Sequence, residues 1–260
     1  MNDDIVILAP WQVGVAYIFV IIVLTILKHR GIKREKVLLY GTLRMSVQLI
    51  LVGFILTWII ENPHPLITVF IVLVMVSFAA LTVMRKFKET MSKPLARVVT
   101  LSLFVGTLPV LLFFFAVVIG IRPIYDPQYV IPITGMIVGN SMTGISLGVH
   151  TLLTRFTKGK AEIEEALILG ATPKDASKPI VDDAFDAAIM PTLNSMLGMG
   201  IIFLPGMMTG QILSGVDPSL AISYQIAIML GILGGVSLTT YAFLQWGYKT
   251  FFNREAQLIA

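Results

Sequence analysis

The chain has 260 residues, 56% of them hydrophobic and 13% charged, with a formal net charge of +4. A water-soluble domain with a polar surface does not have this composition, which predicts an integral membrane protein. The absence of cysteine excludes disulfides, thiolate metal sites and cysteine nucleophiles. We ascribe the basic excess to loops that flank membrane spans, and we expect no nucleic-acid partner.

Apolar runs of about 20 residues, the length that crosses a bilayer core of roughly 30 Å, recur along the chain. They predict helices, because a backbone in lipid must satisfy its own amides. The predicted fold class is all-α: a polytopic transmembrane helical bundle of about seven spans, formed by residues 1–260 as one domain. The predicted spans are residues 11–27, 43–60, 66–84, 98–121, 130–152, 184–204 and 221–244.

The loop charges predict how the spans are oriented. Of the 19 basic residues, only Arg122 falls on one side of the membrane, and all others fall on the opposite side. The positive-inside rule makes that basic side cytoplasmic, so the N-terminus is predicted outside and the C-terminus cytoplasmic. The residues before the first span are acidic, unlike a signal peptide, and we expect this span to be retained. Pro205 and Gly206 interrupt the apolar run 198–215, which predicts a broken or re-entrant segment.

The longest polar segment, EEALILGATPKDASKPI, is predicted to be cytoplasmic and contains a helix start. Thr172 is a suitable N-cap, Pro173 occupies the first helical position, and Asp175 is a capping-box acid. Gly170 ends the preceding helix in a left-handed conformation. We expect a helix, a corner, a short helix and a return into the membrane near Ala184, within a cytoplasmic coupling segment, residues 153–183.

The pattern Glu164-Glu165-Ala166, three residues, Gly170, nine residues, Ile180 resembles the E-A-A-x3-G-x9-I loop of ABC-transporter permeases. It departs from that loop at Glu165, which replaces an alanine, and after Ile180, where two aspartates replace the expected Leu-Pro. In that family the loop docks in a groove of the ATPase subunit. The residues that the resemblance assigns to coupling are Glu164, Glu165, Ala166, Gly170, Ala171, Thr172, Pro173 and Asp175.

Segments 130–142 (VIPITGMIVGNSM), 169–176 (LGATPKDA) and 204–218 (LPGMMTGQILSGVDP) resemble the FetB-type permeases, which are related to the plant aluminium-tolerance permeases. The resemblance implies a multi-pass subunit of the bacterial cytoplasmic membrane that exports iron. It also implies two partners, a separate ABC ATPase and a second copy of the chain in a 2+2 complex. The chain has no G-x4-G-K-[ST] phosphate loop, so we expect ATP and Mg²⁺ on the ATPase and no cofactor on this chain.

Polar side chains in the fifth and sixth predicted spans are candidates for a transport pathway. An amide such as Asn140 needs a partner at membrane depth, and Pro191 bends a helix and frees a carbonyl. Packing is the alternative, because the glycines around Asn140 suit close helix contacts. The pathway candidates are Met136, Asn140, Ser141, Met142, Pro191, Thr192, Asn194 and Gln211.

Asp182, Asp183 and Asp186 cluster where the predicted sixth span enters the membrane. Hard cations prefer oxygen ligands, so these aspartates are candidate metal ligands at a cytoplasmic mouth. The alternative is a solvated helix start, where acidic side chains favour the positive end of the helix dipole. The 13 methionines also offer thioethers, which suit soft ions such as Cu(I), but we interpret them first as apolar packing.

These patterns favour the permease subunit of an ABC exporter for iron or another metal ion. A permease for an organic solute, such as a nucleotide sugar, is the alternative cargo. An intramembrane enzyme is the alternative from another class, and the chain lacks the H-E-x-x-H and G-x-S-x-G motifs that would support one. We therefore expect a transport subunit rather than an enzyme.

Overall fold

A computed structural model of the protein describes residues 9–259. Most of these residues are helical and none of them lies in a β-strand, which confirms the predicted all-α class. Among them, six helical segments are long and apolar enough to cross a membrane, as expected of a multi-pass membrane protein. The acidic residues ahead of the first span lie outside the described residues. The six segments are Pro10–His29, Glu35–Glu61, Pro65–Lys86, Lys93–Ile119, Pro127–Lys158 and Pro218–Phe251.

Contacts divide the chain into two compact units, and the smaller contains the residues up to Pro63 together with Leu213–Gly215. A hydrogen bond between the hydroxyl groups of Tyr17 and Ser46 links the residue between its first two helices to its third helix. Most of its apolar side chains are exposed, which suits helices surrounded by lipid tails. Its helices are α1 (Pro10–Ala16), α2 (Ile18–His29) and α3 (Glu35–Glu61).

The larger unit contains His64–Ile212 and the residues from Val216 onward. The single domain predicted for residues 1–260 stays a prediction. Helix α5 continues as a π-helix, Phe114–Ile119, and α10 continues as a short 3-10 helix, Tyr248–Phe251. The helices are α4 (Pro65–Lys86), α5 (Lys93–Phe113), α6 (Pro127–Lys158), α7 (Lys160–Ile168), α8 (Pro173–Gly198), α9 (Gly206–Leu213) and α10 (Pro218–Gly247).

Five long helices of the larger unit begin at a side-chain cap followed by proline in the first turn. Each cap accepts a hydrogen bond from a backbone N–H of the first turn, and the caps are His64 for α4, Ser92 for α5, Asp126 for α6, Thr172 for α8 and Asp217 for α10. A cap satisfies a donor that the helix cannot, and proline has no donor to satisfy. These sequence signals therefore mark where the helices begin.

Small residues let the helices of the larger unit approach closely. A Cβ added to Gly106 on α5 would lie 2.4 Å from the Cα of Thr239 on α10. A Cβ on Gly144 of α6 would lie 3.1 Å from the carbonyl oxygen of Ala188 on α8. Gly148 lies one turn further along the same contact, near the Ala184 carbonyl. Gly144 and Gly148 therefore pack against α8, which is the packing role that the sequence indicated for glycines of this helix.

The basic loops of the larger unit lie at one end of its helices. The Phe87 ring at the end of α4 stacks on His150 of α6, and Phe156 at the end of α6 stacks on Phe251 after α10, with 4.0 Å between ring centroids. Arg155 at the same end of α6 pairs with Asp183 in the first half of α8. In this unit, the basic loops that the sequence assigns to one side therefore lie together in space. The assignment of that side to the cytoplasm stays a prediction.

Helix α8 differs from the expected short helix and separate span 184–204. It runs without a break through Ala184 to Gly198, although Pro179 and Pro191 lie inside it. Its charged first half sets it apart from the six apolar segments, so the seventh span stays a prediction. After Gly198 the chain turns, with Gly200 at φ +84°, before α9 begins. The predicted interruption of segment 198–215 is confirmed.

Candidate functional site

The predicted corner lies between α7 and α8. Gly170 adopts φ +93°, and the N–H of Ala171 donates to the Ala166 carbonyl at 2.9 Å, which closes the end of α7. Thr172 Oγ1 accepts from the Asp175 N–H at 3.2 Å and donates to Asp175 Oδ2 at 2.6 Å. The Asp175 carboxylate thus accepts from the Thr172 hydroxyl, whereas a capping box would place it on the cap's backbone N–H. The corner is fixed by local hydrogen bonds.

Two large apolar side chains project from this corner, and the sequence analysis missed them. Ile168 is 85% exposed and Leu169 is 82% exposed, immediately before Gly170. Ile163, on the opposite side of α7, is buried and anchors the helix to the core. Adjacent apolar residues in a charged loop, just before a helix-ending glycine, were the signal that could have identified them. An exposed apolar pair beside charged side chains is suited to a surface that a partner covers.

A groove of about 440 Å³ lies between α7 and the C-terminal segment, residues 255–258. Glu164, Ile168 and Ala171 line one wall. The opposite segment is held as a compact turn by Asn253, whose Oδ1 accepts from two backbone N–H groups. Glu164 and Glu165 are exposed, and Ala166 is half-buried. Of the eight residues predicted for coupling, Glu164 and Ala171 line the groove beside the C-terminal segment.

Helix α6 has an exposed polar face. Asn140 is exposed, and its Nδ2 donates to the Met136 carbonyl at 2.7 Å. Thr143 is exposed one turn further along, and its hydroxyl donates to the Gly139 carbonyl at 3.1 Å. Lipid is a poor environment for an amide and a hydroxyl in the middle of a long helix. This face is therefore the stretch of α6 best suited to line a polar pathway.

Other pathway candidates on α6 lie in different surroundings. Ser141 is fully buried, and a Cβ on Gly235 of α10 would lie 3.2 Å from its hydroxyl oxygen, so it faces a helix contact. Met136 and Met142 are half-buried and pack against the hydrophobic core. Asn140 and Ser141 are both predicted pathway residues, but Asn140 is exposed whereas Ser141 is buried.

The candidates beyond α6 also divide by exposure. Pro191 and Asn194 are exposed on α8, whereas Thr192 between them is buried, at 5% exposure. The Ser195 hydroxyl donates to the Pro191 carbonyl at 2.9 Å, which provides a hydrogen bond near the proline. Gln211 is half-buried on α9. Asn194 is the exposed α8 candidate that has a polar side chain.

The three aspartates of α8 do not form a metal site within the described chain. Asp182 pairs with Lys178 at 3.0 Å, and Asp183 pairs with Arg155 at 2.5 Å. Asp186 is exposed. Across residues 9–259, no group of three or more His, Cys, Asp or Glu side chains is arranged to hold a metal ion. A metal held by these carboxylates would need further ligands from a second copy or from solvent.

Comparison with family models matches residues 10–252 to UPF0014, described as an uncharacterised protein family. The UPF0014 membrane protein YjkA of Bacillus subtilis is 34% identical over 95% of this chain and 97% of its own length. The probable iron export permease protein FetB of Escherichia coli is 33% identical over 95% and 94%. The protein ALUMINUM SENSITIVE 3 of Arabidopsis thaliana is 33% identical over 94% and 88%. No solved structure matches the chain.

Proposed function

This chain belongs to the UPF0014 family of multi-pass membrane proteins, and from that premise we propose that it is the permease subunit of an ABC exporter. The cargo that we propose is a metal ion, with iron first, moved out of the cytoplasm. The similarity to a protein named as a probable iron export permease supports this cargo. The corner at Gly170, with Ile168 and Leu169 exposed beside it, is the observation that carries the proposal.

In the proposed mechanism, a separate ATPase binds ATP and Mg²⁺ and supplies the energy. The ATPase docks on the corner, with Ile168 and Leu169 in a groove on its surface, and two permeases assemble with two ATPases. Closure of the ATPases displaces Thr172, the N-cap residue of α8. This chain performs no hydrolysis, which agrees with its lack of a phosphate loop.

The continuity of α8 supports transmission of that displacement. Its 26 residues extend roughly 39 Å at 1.5 Å per residue, from the corner to the break after Gly198. Ala184 and Ala188 hold it against α6 through the two glycine contacts. A push at Thr172 would therefore shift the Asn194 region of α8 against α6 and switch access to the polar pathway.

An organic solute is the second candidate cargo, and one observation favours it. Three accessible polar groups on α6 and α8 are neutral: the amides of Asn140 and Asn194 and the hydroxyl of Thr143. These groups hydrogen-bond to sugar hydroxyls, whereas Fe(II) prefers imidazole and carboxylate ligands. Stimulation of the assembled complex by a nucleotide sugar and not by metal ions would decide for this candidate.

Docking at the corner is tested by co-purification of the permease with its ATPase. The double substitution Ile168→Asp and Leu169→Asp places two charges on the apolar pair and is expected to abolish co-purification. The matched control is Ile201→Asp with Ile202→Asp, a pair that is 91% and 80% exposed in the turn after α8. Equal loss of the ATPase from both variants, or retention by the corner variant, would overturn the proposed docking surface.

A further inference from the structure

A methionine-rich cavity of about 420 Å³ lies where α8 ends and α10 begins, within the larger unit. Met196 and Met199 come from the end of α8 and the residue after it, Met208 from α9, and Met229 from α10. Four of the ten lining residues are methionines, against 13 among all 260 residues. Methionine is therefore concentrated at this cavity, although the four residues come from three helices and the turn after α8.

A buried amide points to a ligand in the same cavity. Gln225 of α10 lines the cavity and is only 6% exposed. Its Nε2 donates to the sulfur of Met199 at 3.9 Å, while its buried Oε1 has no hydrogen-bond partner. An unpartnered carbonyl oxygen at membrane depth is costly unless something binds it. Apolar packing does not explain a buried amide oxygen without a partner on a residue that lines this cavity.

The composition of the lining selects the kind of ligand. None of the ten described lining residues is charged, and none is a histidine. Hard divalent cations need carboxylates or imidazoles, and a divalent charge in an uncharged, apolar site is strongly disfavoured. Thioethers are soft, neutral ligands that suit Cu(I), and a single positive charge costs less to desolvate.

We propose that this cavity is a binding site for a soft monovalent cation, Cu(I) or the chemically similar Ag(I). Methionine has three rotatable side-chain bonds, so its sulfur adapts to an ion without displacement of the helix. This proposal concerns the binding of a cation alone. It depends neither on the proposed metal export nor on an ATPase. The ligands that we assign are the sulfur atoms of Met196, Met199, Met208 and Met229 and the Oε1 of Gln225.

The test is titration of the purified full chain in detergent micelles with Ag(I), followed by calorimetry and by thermal unfolding. The wild type is expected to bind Ag(I) and to unfold at higher temperature when Ag(I) is present. The substitutions Met208→Leu and Met229→Leu conserve volume, so the fold is kept while two ligands are lost. Loss of an outer-shell partner lowers metal affinity roughly 10–100-fold, and loss of two direct ligands should lower it at least as much.

The matched control is Met75→Leu with Met84→Leu, two half-buried methionines of α4, which should bind Ag(I) like the wild type. Gln225→Leu should weaken binding and remove the unpartnered oxygen, so the variant remains at least as stable as the wild type without Ag(I). Three results would each overturn the proposal: no Ag(I) binding by the wild type, equal binding by the Met208 and Met229 variant, or a retained lipid in the cavity in place of the ion.

Discussion

Single glycines determine how closely the helices of the larger unit pack. On α5, Gly106 lies against the backbone of α10, and no side chain fits between them. On α10, Gly234 has no atom within 4 Å of the position where a Cβ would stand. The two glycines occupy helix interiors and differ in their neighbours, which makes them a matched pair for measuring the packing.

Gly106→Ala is expected to destabilise the protein. Its Cβ would lie 2.4 Å from the Thr239 Cα, and relief of that clash by backbone shifts typically costs about 1–3 kcal/mol. Gly234→Ala is expected to be neutral or to stabilise by roughly 0.5–1 kcal/mol, because alanine is the better helix former. Thermal unfolding in micelles measures both. A Gly106→Ala variant as stable as Gly234→Ala would contradict the observed α5–α10 contact.

Asp217 caps α10 with a carboxylate that depends on pH. Hydrogen bonds from the Ser219 hydroxyl and then the Ser219 N–H hold the pKa of Asp217 below its ordinary value of 3.8. Because the folded pKa is lowered, the stability that the carboxylate contributes is present above 3.8 and is lost as the pH falls through the lowered pKa. The exposed position of Asp217 makes this contribution small.

Comparison of the wild type with Asp217→Asn from neutral pH down to about pH 3 measures this dependence. The unfolding temperature of the wild type should exceed that of the variant at neutral pH. The difference should narrow below pH 3.8, because protonated aspartic acid and asparagine are both neutral caps. A difference that is constant across this range would show that the charge on Asp217 does not contribute.

At the scale of the elements, the coupling that we propose depends on the corner between α7 and α8. Gly170 at φ +93° allows α7 to stop and α8 to begin with four residues between them. An L-residue with a Cβ is disfavoured in this conformation. The direction of α8 relative to α7 therefore depends on this glycine.

Gly170→Ala is expected to cost about 1–2 kcal/mol and to reduce ATP-driven transport, because the strained corner would change the angle at which α8 leaves it. Asn tolerates positive φ better than Ala, so Gly170→Asn should retain more activity. Gly210→Ala on α9, where a Cβ meets nothing within 4 Å, is the control. Equal transport by the Gly170 and Gly210 alanine variants would show that the corner angle is unimportant.

The caps and the corner were predictable because each depends on neighbours in the sequence: Thr172, Pro173 and Gly170 act within a few residues of themselves. The continuity of α8 was not predictable from the sequence, because proline and clustered charge normally indicate a helix boundary. In this chain, contacts with α6 hold the helix together. The exposure of Ile168 and the burial of Ser141 depend on which face each helix packs. The methionine cavity joins residues more than 30 positions apart, from Met196 to Met229, so only the fold brings them together.

At the scale of the whole molecule, the chain separates three kinds of surface. One end of the larger unit carries basic loops, the coupling corner and the C-terminal segment. Accessible amides on α6 and α8 lie along the helices, and the methionine cavity lies where α8 ends. If the chain is a transporter, the surface on which we propose that the ATPase docks lies at one end of the helices. The polar groups proposed to contact the cargo lie between the two ends. In the proposed mechanism, the cargo therefore moves from the basic end, which is predicted to be cytoplasmic, to the opposite side of the membrane.

Transport by inside-out vesicles that contain the chain and its ATPase tests this claim most directly. If the chain is a metal exporter, a metal ion accumulates inside the vesicles when ATP is supplied. We expect loss of that accumulation with Ile168→Asp and Leu169→Asp, and no loss with Ile201→Asp and Ile202→Asp. Accumulation that needs no ATPase, or accumulation of a nucleotide sugar with no metal ion from the panel, would contradict the proposed metal exporter.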